Sequence, residues 1–216
     1  PSYPTTDAGS NNGSDVANWV FDSARKAGDS AVVASDSNCY VVVFRSVGRQ
    51  EYATKDVRHI LFKVDESALD SEAETYEADL QAAKDAAKAA SEDALAQWKA
   101  GEATEDSFAA LANELSTDAG SNTNGGLYTK IYKNQMVTEF NDWCFDASRQ
   151  SGDTGIVYGE SSNYKGYHVM YFVGDDVPYW QVQAENALRN ADTEAWLDGL
   201  LDSAEVVQEN GMKHVG

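Results

Sequence analysis

Apolar and polar positions change period several times along the chain, and each change marks a predicted element. Residues 57–64 (VRHILFKV) are β-branched and apolar between charged flanks, which predicts a strand. Residues 68–98 are rich in Ala, Glu and Lys, the composition of a long exposed helix that stops near Gly101. Thr104 can cap the next helix. The buried stripe of that helix recurs at helical spacing: Phe108, Leu111, Ala112 and Leu115.

The pattern continues through a Gly- and Asn-rich loop at residues 120–126. Helical spacing returns over residues 136–149, and residues 156–158 and 167–173 read as closing strands. This order, with two helices after the first strand and one before the last two, predicts an α+β domain with a small antiparallel sheet. A helical tail follows Pro178, and Asn210-Gly211 indicates a possible hairpin near the end.

An internal repeat organises the 216 residues. Residues 6–11 (TDAGSN) recur at 117–122, and residues 19–33 align without gaps on residues 143–157. In this alignment Val42 takes the place of His168. The first copy has no counterpart of the helical region between Lys63 and Leu115, so we interpret it as a degenerate partial copy.

This repeat suggests three parts: the partial copy in residues 1–51, a complete domain in 52–176, and a helical tail in 177–216. Neither flank could bury its apolar face alone. We therefore expect the tail to pack on residues 15–47, through four apolar side chains: Trp196, Leu197, Leu200 and Leu201. A dimer in which two chains exchange these pieces is the rival arrangement, so the chain is expected to be a monomer or a segment-exchanged dimer.

The charge of the chain limits its partners. Sixteen Lys and Arg against 36 Asp and Glu give a net charge of −20, which repels nucleic-acid backbones and anionic lipid. The acidity fits either a solvated surface or selection for basic clients. No apolar run is long enough for a membrane span, and residues 1–14 lack the pattern of a signal peptide.

Most motif-based chemistry is missing from the sequence. There is no P-loop, no G-x-S-x-G, no G-x-G-x-x-G and no H-E-x-x-H, so no cofactor is expected. The three histidines are dispersed, which argues against a metal site. Cys39 and Cys144 read as two buried thiols and leave the redox compartment open. A histidine within an apolar strand is usually a core residue, so His59 and His168 need further support.

That support comes from seven short motifs in order: H-I-L-F at 59–62, F-A-x-L-A at 108–112, S-x-D-x-G-S at 116–121, Gly125-Gly126, M-V-x-x-F at 136–140, Gly152-Asp153 and G-Y-H at 166–168. With these motifs the sequence resembles the parvulin-type peptidyl-prolyl cis/trans isomerases over about 120 residues. The resemblance implies a parvulin-like fold for residues 52–176. It also implies that His59, Asp118 and His168 form the catalytic network and that three side chains form the proline pocket: Tyr128, Met136 and Phe140.

Departures from the family pattern affect the expected activity. Tyr128 replaces an aliphatic wall of the pocket, and Asn163 stands where a Thr commonly supports the second histidine. No basic cluster follows Phe62, so a phosphate-directed isomerase is not expected. The first copy is not expected to isomerise proline by this mechanism. It either packs with the C-terminal helix as a structural platform or binds client polypeptides.

The resemblance further implies an extracytoplasmic bacterial foldase, secreted or anchored at the cell surface. Its partners would be unfolded or secreted polypeptides that contain X-Pro bonds. The alternative is a chaperone or client-binding module that kept the fold and lost the activity.

Overall fold

The computed structural model describes residues 15–34, 38–161 and 164–203. The chain divides into two units, residues 52–179 and residues 1–51 together with 180–216. Three features of the sequence lie outside the described residues: the first TDAGSN motif, Asn163 and the Asn210-Gly211 pair. The elements in chain order are α1 Asp15–Val20, β1 Ser30–Ala34, β2 Cys39–Val43, β3 Ala53–Lys63, α2 Tyr76–Ala100, α3 Glu105–Leu115, β4 Leu127–Ile131, α4 Thr138–Cys144, β5 Thr154–Ser161, β6 Tyr164–Pro178 and α5 Tyr179–Ser203.

The unit of residues 52–179 is built on a four-stranded antiparallel sheet in the order β4-β3-β6-β5. Helices α2 and α3 cover one face. The buried side chains on that side form one cluster: Ile60, Ala94, Trp98, Phe108, Leu111, Ala112, Val169 and Tyr171. Helix α4 contributes to a second cluster on the opposite face: Val57, Ile131, Phe140, Cys144, Met170 and Phe172. The predicted α+β class with an antiparallel sheet is confirmed.

Strand alternation decides which side chains reach which face. Ile60 pairs with Val169, and both face α3. The neighbouring pairs, His59 with Met170 and Leu61 with His168, therefore point to the other face. A one-residue difference along β3 thus separates the apolar core under α3 from the histidine side of the sheet.

Two helices are shorter than the sequence-based prediction, and α4 begins at Thr138 instead of Met136. Helix α2 begins at Tyr76 instead of Ala68, because residues 65–75 form successive turns in which the Asp65 and Asp70 side chains accept nearby backbone N–H groups. Helix α4 ends at Cys144 instead of Arg149, because Asp146 accepts the backbone N–H of Ser148 in the same way.

The start of α3 agrees with the prediction. The Thr104 side chain accepts the backbone N–H of Ser107 at 3.2 Å, and the Ser107 hydroxyl accepts the backbone N–H of Thr104 at 3.0 Å. This reciprocal pair is a capping box, here with Ser in place of the usual Glu or Gln. None of the described helices combines the length and apolarity needed to cross a bilayer.

In the other unit, β1 and β2 form an antiparallel hairpin. Its register corrects the alignment that placed Val42 at the position of His168. Ser30 pairs with Val43 over 13 positions, whereas Thr154 pairs with Tyr171 over 17, so the first hairpin is shorter by four residues. Val33 aligns with Val157, and the strand partners of these two residues are Tyr40 and His168. Tyr40 therefore holds the place of His168 in the first copy.

Two further expectations concern this unit. Cys39 is exposed, which corrects the prediction of two buried thiols; it lies on the outward face of β2, while Cys144 is buried. Helix α5 has no buried residue, and the four apolar side chains expected to pack on residues 15–47 are exposed by between 46% and 65%. That packing does not occur among the described residues, and the exchanged dimer stays a prediction.

Candidate active site

Two histidines meet on the face of the sheet opposite α3. His59 lies in β3 and His168 in the adjacent β6, offset diagonally by the strand register. Their Nδ1 atoms are 3.0 Å apart, and the two rings are stacked with centroids 5.2 Å apart. The residues are only 3% and 4% exposed, so the pair is shielded from bulk water.

The loop after α3 is fastened to β3 beside this pair. Thr117 donates its backbone N–H to the carbonyl of Leu61 at 2.9 Å. In return, Leu61 donates its own N–H to the Ser116 hydroxyl at 3.1 Å. These bonds hold the next residue, Asp118, with its Oδ2 atom 2.9 Å from Nε2 of His59.

Asp118 is an acceptor for several groups at once. The hydroxyls of Ser121 and Tyr128 donate to its Oδ2 at 2.6 Å and 3.0 Å. The backbone N–H of Gly120 donates to its Oδ1 at 3.2 Å. The hydrogen bond with His59 is the largest cause of a pKa for Asp118 well below its usual range, and these other donors act in the same direction. Asp118 is therefore a carboxylate at neutral pH.

A glycine allows the backbone to approach His59. The carbonyl of Gly126 accepts the backbone N–H of His59 at 2.9 Å, and Gly126 has a φ of +69°. A Cβ atom at this position would lie 2.1 Å from the His59 carbonyl oxygen. Only glycine fits, which explains why the second residue of the Gly125-Gly126 motif is needed where β4 begins.

The histidines and Asp118 open onto a cavity of about 220 Å³. Its size is below the roughly 300–1,000 Å³ of pockets for drug-sized ligands and suits one small ring. The lining consists of His59, Leu61, Lys63, Asp118, Tyr128, Met136, Val137, Phe140, Tyr164 and His168. All six predicted site residues are therefore brought to one cavity.

Phe140 joins the apolar wall to the histidines. Its ring meets those of His59 and His168 at steep angles, 77° and 89°, with centroids 5.7 Å and 5.3 Å away. Met136 and Val137 precede the helix that carries Phe140 and continue the same wall. One side of the cavity is thus apolar, and the other is a hydrogen-bonded polar network.

Sequence reasoning missed two polar members of this network. The Tyr164 hydroxyl lies 3.1 Å from Nε2 of His168. Tyr164 is four residues before His168 in the same strand, so the two-residue period places both on one face and could have identified it. Ser121 belongs to the S-x-D-x-G-S motif and lies within the same turn as Asp118.

The environment shifts the protonation of the side chains around the cavity. Burial, followed by the proximity of His59, lowers the pKa of His168 to about 3, so its imidazole is neutral at pH 7. Burial, followed by the hydrogen bond to Asp118, raises the pKa of Tyr128 to about 12. Burial also raises the pKa of Tyr164. Both tyrosines therefore keep their O–H groups as hydrogen-bond donors.

The histidine nitrogens are fully engaged within the site. Nδ1 of each ring faces the other ring, Nε2 of His59 faces Asp118 and Ser121, and Nε2 of His168 faces Tyr164. In the described ranges, no group of three or more His, Cys, Asp or Glu side chains has an arrangement that could hold a metal ion.

Comparison with known proteins gives the family of this unit. Among solved structures, the chain is similar to the crystal structure of peptidylprolyl isomerase (PrsA) from Bacillus cereus, at 22% sequence identity and a TM-score of 0.39. The match covers 74% of this chain and 54% of that one, so the chain spans about half the length of that protein. No curated protein matches the chain. Residues 59–174, more than half of the chain and including both histidines, match the Rotamase family, the PPIC-type PPIASE domain, and the chain therefore belongs to this family of parvulin-type peptidyl-prolyl isomerases.

Proposed function

We propose that residues 52–179 catalyse cis/trans isomerisation of X-Pro bonds without covalent chemistry, with the prolyl ring in the cavity beside the histidines. The observation that carries this proposal is the cavity itself. A small apolar wall and a shielded His-His-Asp network face the same space of about 220 Å³. The family membership of residues 59–174 supports the same activity.

The reaction requires rotation, not bond cleavage. Rotation about the peptide bond faces a barrier of about 20 kcal/mol because it breaks the amide resonance. The uncatalysed X-Pro step takes tens of seconds at 25 °C. A catalyst therefore needs no nucleophile; it must bind the twisted amide more tightly than the planar one.

The apolar wall supplies part of this selectivity. The planar amide carries more charge separation than the twisted one, so an environment with little water disfavours the planar form. Met136, Val137 and Phe140 form such an environment around the expected position of the pyrrolidine ring. Their contacts also fix the ring while the rest of the peptide turns.

The polar network acts as the rigid side of the cavity. Asp118 holds His59 from one end, and His59 in turn contacts His168. No proton needs to leave the network during rotation, so we assign His59, Asp118 and His168 to orientation and electrostatic stabilisation of the twisted peptide. Tyr128 adds to this side because its hydroxyl donates to Asp118 while its ring lies 5.2 Å from that of His59.

The test is an isomerase assay on a short X-Pro peptide with the protein at catalytic amounts. Met136 is only half-buried, so Met136→Ala should lower kcat/KM about tenfold, or about 1.4 kcal/mol, with little loss of stability. Leu69→Ala is the matched control, because Leu69 is also half-buried but packs in a separate cluster. Phe140→Ala should lower both activity and stability, the latter by about 3–5 kcal/mol, because Phe140 is 2% exposed.

Two results would contradict the proposal. One is a wild-type protein that accelerates isomerisation only at stoichiometric amounts; the other is a folded Met136→Ala variant as active as Leu69→Ala. Suppression of aggregation without turnover would instead support the chaperone or client-binding alternative.

Substrates and compartment form the wider part of the proposal. The domain acts on unfolded or secreted polypeptides outside the cytoplasm, and the N-terminal segment is a degenerate partial copy without activity. Support comes from the family, the net charge of −20 and the presence of only two cysteines. Fractionation of source cells against a cytoplasmic marker tests the compartment, and enrichment of the protein with that marker would contradict it.

A further inference from the structure

We propose that Tyr164 is a positioning residue whose O–H donates to Nε2 of His168, and that His59 and His168 consequently hold opposite neutral tautomers. His168 then carries its hydrogen on Nδ1, and His59 carries its hydrogen on Nε2. The inference deepens the proposed function, on which the catalytic part of its test rests.

The first step starts at the Asp118 end of the network. A carboxylate can only accept hydrogen bonds. Its Oδ2 atom lies within hydrogen-bond distance of Nε2 of His59 and of the hydroxyls of Ser121 and Tyr128. All three groups must therefore donate to it, which places a hydrogen on Nε2 of His59.

The second step passes through the two rings. A neutral imidazole has one N–H, so Nδ1 of His59 is left as an acceptor. The contact of 3.0 Å between the Nδ1 atoms then requires His168 to donate from its Nδ1. Nε2 of His168 becomes an acceptor, and the Tyr164 hydroxyl at 3.1 Å is the group placed to donate to it.

Counting hydrogens supports this direction over the reverse. Three hydrogen bonds connect Tyr164 to His168, His168 to His59, and His59 to Asp118, and each needs one hydrogen. The Tyr164 hydroxyl and two neutral imidazoles provide three. An additional proton on His59 would force His168 to donate from Nε2 to the Tyr164 oxygen. That arrangement would place a fourth hydrogen in a network whose three contacts need only three.

The backbone leaves space for the Tyr164 contact. Gly159 in β5 lies next to His168, and a Cβ atom there would come within 3.1 Å of the same Nε2 atom. Tyr164 itself is half-buried, and its ring meets the His168 ring at 77°. The hydroxyl therefore occupies the approach to Nε2 that the glycine keeps open.

A fixed tautomer matters for the cavity because it holds the histidine rings in one orientation. Without a donor at Nε2, His168 could exchange its N–H between the two ring nitrogens and break its contact with His59. Tyr164 thus acts through His168, and does not need to touch the prolyl ring.

The experiment is nitrogen NMR of the full chain labelled with ¹⁵N-histidine, at pH 8. The sequence has three histidines, so the variant His214→Gln and one substitution in the pair assign every ring nitrogen. The wild type should show a protonated Nε2 for His59, a protonated Nδ1 for His168, and a hydrogen-bonded, unprotonated Nε2 for His168. A protonated Nε2 on His168, or the same tautomer in both rings, overturns the proposal.

The variant Tyr164→Phe tests the role of the hydroxyl, with Tyr158→Phe as control. Tyr158 is a tyrosine of the adjacent strand whose hydroxyl donates to Glu160 at 2.7 Å, away from the histidines. Tyr164→Phe should shift the His168 Nε2 signal and lower kcat/KM about twofold to tenfold, as expected for one net hydrogen bond, mainly through kcat. Tyr158→Phe should change neither.

The two readouts separate this inference from the proposed function. An inactive wild type with the expected tautomers would contradict only the function. An active wild type in which Tyr164→Phe leaves both the Nε2 signal and kcat/KM unchanged would overturn the role of Tyr164.

Discussion

Residues 19–44 and residues 143–172 repeat one local frame, although only the second belongs to the cavity. In each copy an Arg donates from Nε to a Trp carbonyl six residues earlier and stacks on the same Trp ring. The Arg25–Trp19 pair has distances of 3.0 Å and 4.4 Å, and the Arg149–Trp143 pair has 3.2 Å and 4.1 Å. The letters shared by residues 19–25 and 143–149 therefore encode a turn after a short helix.

The link from this turn to the following hairpin is also repeated. In each copy a glycine with positive φ donates to a Phe carbonyl, and the Phe N–H donates back to the carbonyl of the next Asp. The bonds join Gly28, Asp29 and Phe44 at 2.9 Å and 2.7 Å, and Gly152, Asp153 and Phe172 at 2.8 Å and 2.9 Å.

The copies differ in what covers their strands. In the first hairpin Val32, Val41 and Val43 are exposed by 71%, 81% and 60%. The strand register equates Val41 and Val43 with Val169 and Tyr171, which are 0% and 9% exposed beneath α2 and α3. The described residues of the first copy, 15–34 and 38–51, include no such helices, and among them the hairpin leaves its apolar face open.

The groups proposed to be catalytic follow the same division. His59 and Asp118 come from segments outside the repeated hairpin, and Tyr40 stands in place of His168 in the first copy. The comparison teaches that the hairpin is a repeated structural element, whereas the proposed activity depends on groups that lie outside the repeated hairpin.

The largest expected effect comes from removing the histidine that distinguishes the copies. His168→Gln should lower kcat/KM by about tenfold to hundredfold, because loss of a buried partner costs about 1–3 kcal/mol. Tyr40→Phe, at the equivalent position of the first copy, should leave kcat/KM unchanged in the same peptide assay. Equal losses in both variants would show that the first hairpin shares in catalysis.

A smaller effect is expected from crowding the cavity. Gly159→Ala places a Cβ atom 2.9 Å from Val137 and 3.1 Å from His168, so these groups must move by a few tenths of an ångström. We expect a fall in kcat/KM of about threefold to tenfold, since a misplacement of about 1 Å can cost roughly a hundredfold. At the corresponding position of the first copy the sequence has Ser35, which carries a Cβ atom.

Gly174→Ala is the matched control for that substitution. Gly174 lies in the same hairpin as Gly159, and a Cβ atom there would have no neighbour within 4 Å. If Gly159→Ala and Gly174→Ala have the same activity, His168 does not need the space that Gly159 leaves.

The buried histidine also predicts an acid dependence of stability. Burial lowers the pKa of His168 from 6.5 to about 3, so the unfolded chain binds a proton that the folded chain does not. This contribution is present above pH 6.5 and is lost as the pH falls towards 3. The free energy of unfolding should decline by up to about 1.4 kcal/mol per pH unit within that window.

Denaturant unfolding of the wild type and His168→Gln at several pH values measures this difference. The variant should show the shallower decline between pH 6.5 and 3. Parallel pH dependences in the two proteins would mean that His168 titrates similarly in the folded and unfolded chains.

The smallest effect on catalysis is expected from removing the tail. The cut belongs after Tyr179, because Tyr179 donates its N–H to the Tyr52 carbonyl and stacks on Tyr52 and Tyr132. If two chains exchange these pieces, the tail of a second chain is the missing partner of residues 15–47, and deletion of 180–216 should make that segment protease-sensitive while activity is kept. If residues 15–47 stay protected from the protease after the deletion, another part of the protein covers them.

The sequence predicted the elements whose signals are local. The Thr104 cap, the α3 stripe and the strand at His59 needed only short-range patterns, and the motif order brought six site residues to one cavity. Helix α2 was predicted too long because Ala, Glu and Ser also suit the Asp-capped turns that precede it.

Features that depend on strand register were not predictable in the same way. Because the first hairpin is four residues shorter, the residue equivalent to His168 is Tyr40 and not Val42. The repeated letters do not show at which positions the four residues are missing. Tyr164 was missed because its role depends on a contact across one strand face, although its spacing from His168 carried the signal.

The most direct test of the account compares residues 52–179 alone with the full chain in the short-peptide isomerase assay. The account predicts that the fragment folds and keeps most of the kcat/KM of the full chain, and that His168→Gln lowers both equally. A folded fragment without activity, beside an active full chain, would contradict the claim that this unit alone holds the catalytic groups.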